Sequence, residues 1–126
     1  MPQEAPPRRL LFVDDEERIL SALCRTLRRE GYEIVTANSV ESALEILDQG
    51  PVDLILSDFK MPGMTGLELF AEARRRQPQI ACILITGWSQ AVSAEELAAA
   101  EVATLISKPW EDAVLKDALR EALSEV

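Results

Sequence analysis

Five short apolar runs alternate with five segments whose apolar residues recur at helical spacing. This alternation restricts the fold more than any other feature of the chain. The runs occupy residues 10–13, 33–36, 54–57, 80–85 and 104–106. Residues 18–29 place Ile19, Leu20, Leu23, Cys24 and Leu27 at helical spacing, and residues 39–47 do the same with Val40, Ala43, Leu44 and Leu47. Helices are also predicted over 67–76 and 94–101. A last helix, opened by Trp110 or Glu111, carries Val114, Leu115, Ala118, Leu119 and Ala122. Short strands alternating with helices require parallel crossovers, which cover a sheet on both faces. The predicted class is therefore α/β, with the β-α unit repeated five times. The run 80–85 is almost continuously apolar, as in a strand covered on both sides. The more polar 33–36 suits a sheet edge.

Punctuation agrees with this division. Gly31 stops the first helix, and Gly50-Pro51 makes a turn before the third strand. Asn38 with Glu41, Thr65 with Glu68 and Ser93 with Glu96 each offer a helix N-terminal capping pattern. The core-facing content of the 94–101 segment is mostly alanine, with Leu97 its one large apolar residue. Alanine favours helix but buries little area, so this helix is expected to be weakly held and able to repack. Residues 1–8 are Pro-rich and polar and read as a flexible tail, leaving one domain over 9–126.

The formal charge is -9 and histidine is absent. That balance argues against a nucleic-acid or membrane surface, both of which attract basic patches, and suits a basic or apolar docking face on a partner. It also removes histidine bases, histidine metal ligands and phosphohistidine from this chain. Cys24 and Cys82 each lie in an apolar pattern and read as small buried hydrophobes in a reducing compartment. The N-terminus has no apolar signal region, and no run approaches the ~20 apolar residues of a membrane span. A cytoplasmic location is expected.

The polar residues that follow the strands carry the chemistry. Asp14, Asp15 and Glu16 follow the first, Asp58 the third, Thr86 the fourth and Lys108 the fifth. In a parallel sheet these ends share one edge, where open α/β folds bind ligands. Singly, each has an ordinary reading: Asp14 and Asp15 as a helix cap and first-turn acid, Asp58 as a turn aspartate, Thr86 and Lys108 as solvated loop residues. Together they complement one another in charge. Three converging carboxylates raise each other's pKa unless a cation intervenes, and Mg²⁺ suits such oxygen ligands. Zinc does not fit, since histidine is missing and the cysteines lie elsewhere. A carboxylate nucleophile beside Mg²⁺, a hydroxyl and an ammonium makes a coherent phosphoryl-transfer site.

From Leu10 to about Leu123 the chain resembles the receiver domain of two-component response regulators. The acidic pair Asp14-Asp15, the acceptor Asp58 with Met61, Pro62 and Gly66, the switch residue Thr86 and the pair Lys108-Pro109 match that family's motifs. The resemblance implies a flavodoxin-like, doubly wound (βα)5 three-layer sandwich with parallel strand order 2-1-3-4-5. It implies that a sensor histidine kinase or histidine phosphotransfer protein donates a phosphoryl group to Asp58. Mg²⁺, or Mn²⁺ in its place, would be held by the Asp15 and Asp58 side chains, by Asp14 through water and by the Lys60 carbonyl. Thr86 and Lys108 would bind phosphoryl oxygens. The domain would then catalyse only its own phosphorylation and slow hydrolysis. Output would pass through the surface of the fourth helix, fifth strand and fifth helix, including Leu97 and Trp110. That surface would serve a homodimer, an output domain or a downstream effector.

The chain departs from the family pattern at Leu105, where many receivers have Tyr or Phe as a second switch. Trp110 after Lys108-Pro109 occurs in a subset of receivers and equally suits packing at the start of the last helix. Gly87, Trp88 and Lys60 border the acceptor and are expected to tune switching or hydrolysis. Other classes fit less well. A haloacid-dehalogenase-type hydrolase needs its nucleophile after strand one in an Asp-x-Asp pattern. A flavodoxin needs a Ser/Thr/Gly-rich phosphate loop there. A pseudo-receiver, acting as a dimerisation or interaction module without phosphate, would ordinarily have lost an acid or the lysine. A natural single-domain regulator, a relay shuttle and the receiver of a longer regulator all fit the sequence.

Overall fold

The computed structural model describes residues 7–87 and 92–124. Within them β1 (Arg9–Val13), α1 (Glu17–Leu27), β2 (Glu33–Ala37), α2 (Val40–Gln49), β3 (Leu54–Asp58), α3 (Gly66–Arg76), β4 (Ala81–Thr86), α4 (Ala94–Ala99), β5 (Thr104–Ser107) and α5 (Asp112–Ser124) follow in order. The five strands form one parallel sheet in the order β2-β1-β3-β4-β5. This is the doubly wound (βα)5 arrangement expected, with β2 at an edge. Residues 1–6 of the expected tail lie outside the described residues.

The two-residue period of the strands divides the core into two layers. Leu11, Val13, Ile55, Cys82 and Leu84 face α2 and α3, where they meet Val40, Ala43, Leu47, Leu69, Phe70 and Ala73. The alternate residues Leu10, Phe12, Leu54, Leu56, Ile83 and Ile85 face Leu20, Leu23 and Leu27 of α1 and Leu115 and Leu119 of α5. Each central strand is thus apolar on both faces, which is why these strands read as continuous apolar runs. Winding reverses between β1, whose neighbours are β2 and β3, and β3. The crevice at the carboxyl ends of β1 and β3 is the binding position of this architecture.

Three local readings need correction. The cap of α2 is Ser39, whose Oγ accepts the Ser42 N–H at 3.1 Å. Asn38 instead donates its side-chain amide to Glu17 Oε2 at 2.8 Å. Ser39 is the extended residue directly before the helix and therefore the one whose hydroxyl reaches the free N–H groups. The last helix begins at Asp112, with the Glu111 carbonyl accepting from Leu115 N at 3.0 Å. Val114 is 49% exposed rather than in the core. The buried stripe is Leu115, Leu119, Ala122 and Leu123, and Val114 sits one residue, about 100°, away from it. The capping boxes at Thr65–Glu68 and Ser93–Glu96 are both formed. Even so, α4 spans only Ala94–Ala99 and buries none of its residues.

Candidate phosphoryl-acceptor and metal site

β1 delivers Asp14 to the crevice, and the Asp14 N–H donates to the Ala37 carbonyl at 3.2 Å, extending the sheet one residue further. Its side chain is almost fully buried. Oδ1 accepts the Glu16 N–H at 2.9 Å and Oδ2 accepts from Lys108 Nζ at 2.8 Å. Asp15, next along, is exposed. Asp58 ends β3, and its Oδ2 lies 3.4 Å from Lys108 Nζ. Lys108 reaches both acids because its backbone N–H donates to the Thr86 carbonyl at 3.0 Å, aligning the end of β5 with that of β4. Carboxylate oxygens of Asp14, Asp15 and Asp58 lie within 4.8 Å of one another.

Asp14 and Asp58 thus share one ammonium, with the Asp15 carboxylate close by. Burial pushes the Asp58 carboxyl above its ordinary range; Lys108 counteracts this, Asp14 adds to it, and the Phe59 N–H opposes it. Burial alone would lower the Lys108 ammonium, but Asp14 and Asp58 outweigh it and hold Lys108 above its ordinary value. The remaining negative charge is what a divalent cation would neutralise. The clustered donors are all hard oxygens, so the site fits Mg²⁺.

The other expected residues take different positions. Thr86, the last residue of β4, is fully buried beside this edge. Gly87 is exposed, with open space where a Cβ would stand. Lys60 is exposed in the loop after β3. Leu105 and Leu97 are half-buried against the α2–α3 layer. Trp110 packs on the opposite, α1–α5 layer. With Ile19, Thr26, Lys108, Pro109 and Asp112 it lines a cavity of about 490 Å³. Trp88 lies outside the described residues.

Two contacts fix the backbone at Asp58, and only the one from Ser57 lacks a distinctive sequence signal. Ser57 Oγ donates to the Asp58 carbonyl at 2.8 Å. Gly66 N donates to the Phe59 carbonyl at 2.7 Å, and a Cβ at Gly66 would collide with the Asp58 carbonyl oxygen and with Leu84 Cδ1. A glycine is needed here for close approach, so α3 starts in contact with the backbone of Asp58. The motif resemblance already pairs Gly66 with Asp58, and the close approach is the physical reason for that glycine.

The response regulator receiver domain family matches residues 10–120. The chain is 35% identical over 119 residues to transcriptional regulatory protein GlrR of Escherichia coli (strain K12), covering 94% of this chain and 27% of that protein. It is 39% identical over 118 residues to hydrogenase transcriptional regulatory protein HoxA of Cupriavidus necator, covering 90% of this chain and 24% of that protein. The chain therefore spans about a quarter of the length of these curated relatives. Among solved structures it is similar to response regulator protein TrrA of Thermotoga maritima in complex with Mg²⁺ and BeF, with TM-score 0.82, 35% identity, and 92% of this chain and 99% of that one covered. It is also similar to the signal receiver domain of an HD domain-containing protein from Pseudomonas fluorescens Pf-5, with TM-score 0.84, 32% identity, and 98% and 91% covered. No helix among the described residues is long and apolar enough to cross a membrane. The matched span holds every strand-end side chain of the site, and the chain belongs to the response regulator receiver domain family.

Proposed function

We propose that Asp58 is the phosphoryl acceptor and that residues 9–126 act as one phosphorylation-controlled unit. The observation that carries this reading is the convergence of Asp14, Asp15 and Asp58 within 4.8 Å, with Lys108 between Asp14 and Asp58. A carboxylate oxygen of Asp58 attacks the phosphorus of a partner's phosphohistidine. The P–O bond of an acyl phosphate forms as the P–N bond breaks, and its electron pair returns to the imidazole. Hydrolysis reverses the modification: water attacks phosphorus, releasing inorganic phosphate and the Asp58 carboxylate.

Asp15, Asp58 and the Lys60 carbonyl, with Asp14 beside them, would hold Mg²⁺ or Mn²⁺, which would supply charge neutralisation on the phosphoryl oxygens. Lys108 leaves Asp58 Oδ2 for a phosphoryl oxygen while keeping Asp14. Thr86 turns its hydroxyl to donate to another. No separate substrate turns over.

The donor class we assign is a sensor histidine kinase or a phosphotransfer protein. Relatives named sensor kinase CckA and sporulation initiation phosphotransferase F, 32% and 29% identical, support that class. We place the chain in the cytoplasm with such donors. Output is assigned to the α4–β5–α5 surface, with Leu97 and Trp110 at its borders and Leu105, Gly87, Trp88 and Lys60 tuning the switch. That surface would engage a second copy, an attached output domain or a separate effector. Incubation with acetyl phosphate and Mg²⁺, followed by intact mass, tests the reading. One added phosphoryl group, absent in Asp58→Asn, is expected. No addition from acetyl phosphate or phosphoramidate would favour a pseudo-receiver acting by protein contact alone.

A further inference from the structure

α4 is the least anchored helix of the fold. None of its residues is buried, and Leu97 is its one side chain packed partly against the core. Its C-terminal turn is closed by Glu101 N–H donating to Ala98 O at 3.1 Å and Val102 N–H donating to Leu97 O at 3.0 Å. This is a Schellman closure, whose left-handed residue is usually glycine. Here it is Glu101, with φ of +56°, a conformation that costs free energy in any residue with a Cβ. Something outside the turn must compensate.

The compensating group is on α3. Arg74 Nη1 donates to the Ile80 carbonyl at 3.0 Å, and Nη2 donates to the Glu101 carbonyl. One planar guanidinium thus ties the entry to β4 and the exit of α4 to the C-terminal half of α3, a geometry that a lysine cannot reproduce. The other end of α3 is Gly66, packed against the Asp58 carbonyl. About 12 Å of continuous helix separates Gly66 from Arg74. Beside the latch is an open cavity of about 830 Å³, lined in part by Arg74, Glu101, Ala103 and Thr104.

We propose that Arg74 is a positioning residue that couples α3 to α4: it latches the left-handed turn at Glu101, so that a displacement of α3 at Asp58 moves the end of α4. The proposal rests on the reading of Asp58 as acceptor. Such a route needs no aromatic side chain at position 105, where this chain has Leu105.

Amide hydrogen exchange over residues 97–103, with and without Mg²⁺ and beryllofluoride, tests it. In Arg74→Ala without ligand, exchange there should rise about tenfold, with Arg74→Lys intermediate. Adding Glu101→Gly to Arg74→Ala removes the left-handed cost and should return exchange to within about twofold of the wild type. The beryllofluoride-induced change at these amides should nonetheless stay lost in the double variant, because its turn is stable but no longer tied to α3. Unchanged exchange in Arg74→Ala overturns the latch. A full beryllofluoride response in the double variant overturns the coupling. If the wild type itself takes no beryllofluoride, the acceptor reading fails, and the ligand-free comparison still decides the latch. Should Arg74→Ala not fold, Arg74→Lys carries the same comparisons at smaller amplitude.

Discussion

Lys108 Nζ donates to Asp14 Oδ2 at 2.8 Å, joining the ends of β5 and β1 through a carboxylate that is 1% exposed. Asp58 Oδ2 stands 3.4 Å from the same ammonium. The lysine is therefore structural before it is functional: without it, two acids are left facing each other in a poorly solvated crevice.

Lys108→Ala should accordingly destabilise the metal-free domain by about 3–5 kcal/mol, the range for removing one partner of a buried pair. Saturating Mg²⁺ should recover part of that loss by supplying the missing positive charge. Urea unfolding of both proteins, with and without the metal, measures the effect. A loss that Mg²⁺ leaves unchanged would mean that the cation does not bind between these acids.

Asp58→Asn should stabilise the metal-free domain at neutral pH, by about 1 kcal/mol. Burial raises the Asp58 pKa on folding above its ordinary 3.8, so the folded state binds the proton more tightly than the unfolded one. That contribution to stability is fully present below the unfolded value and is lost as pH rises through the folded value. Wild type and Asp58→Asn should therefore differ little below about pH 4 and diverge above it. Saturating Mg²⁺ should reverse the order at neutral pH, because the wild type binds the metal better. Midpoints of urea unfolding across this range provide the check, and a pH-independent gap would contradict it.

Gly66→Ala should cost about 1–3 kcal/mol, since the added methyl meets the Asp58 backbone and Leu84 rather than open space. It should also slow phosphorylation from acetyl phosphate by displacing the acceptor. Gly87→Ala, where a Cβ meets nothing, is the matched control for added bulk and should leave stability nearly unchanged. Equal effects at the two glycines would contradict the close-approach argument.

Burial pushes the Cys82 thiol up to about 11, and it is fully enclosed beneath the α2–α3 layer. Cys24 is also raised by burial but is partly exposed. Iodoacetamide at pH 8 should label Cys24 slowly and Cys82 only in denaturant, as read by peptide mass. Labelling of native Cys82 at a comparable rate would show that β4 opens readily.

The parts of this protein readable in its sequence are those governed by period and by residue type. Runs such as Ile83–Leu84–Ile85 state a strand covered on both faces, and Asp58 and Lys108 stand out because charge follows apolar residues. The less legible parts depend on helix phase and on one-residue choices. Asn38 and Ser39 are both good caps, and only the backbone decides between them. Val114 looks apolar enough for the core until the Leu115–Leu119 stripe fixes the rotation of α5. Among Arg74, Arg75 and Arg76, nothing in the sequence says which one reaches the Glu101 turn and which one reaches Asp48 of α2. The answer depends on Leu69, Phe70 and Ala73 facing inward, which leaves Arg74 beside the Glu101 turn. The burial of Asp14 was equally hidden, because an acidic pair after a strand does not reveal which member turns in.

An acyl phosphate on Asp58 can be detected directly. Borohydride reduction of the acetyl phosphate-treated protein converts an aspartyl phosphate to homoserine, and peptide mass spectrometry then locates it. Mg²⁺-dependent conversion is expected at position 58 and none at Asp14 or Asp15. Conversion at another residue, or none under conditions where the wild type binds Mg²⁺, would contradict Asp58 as the acceptor.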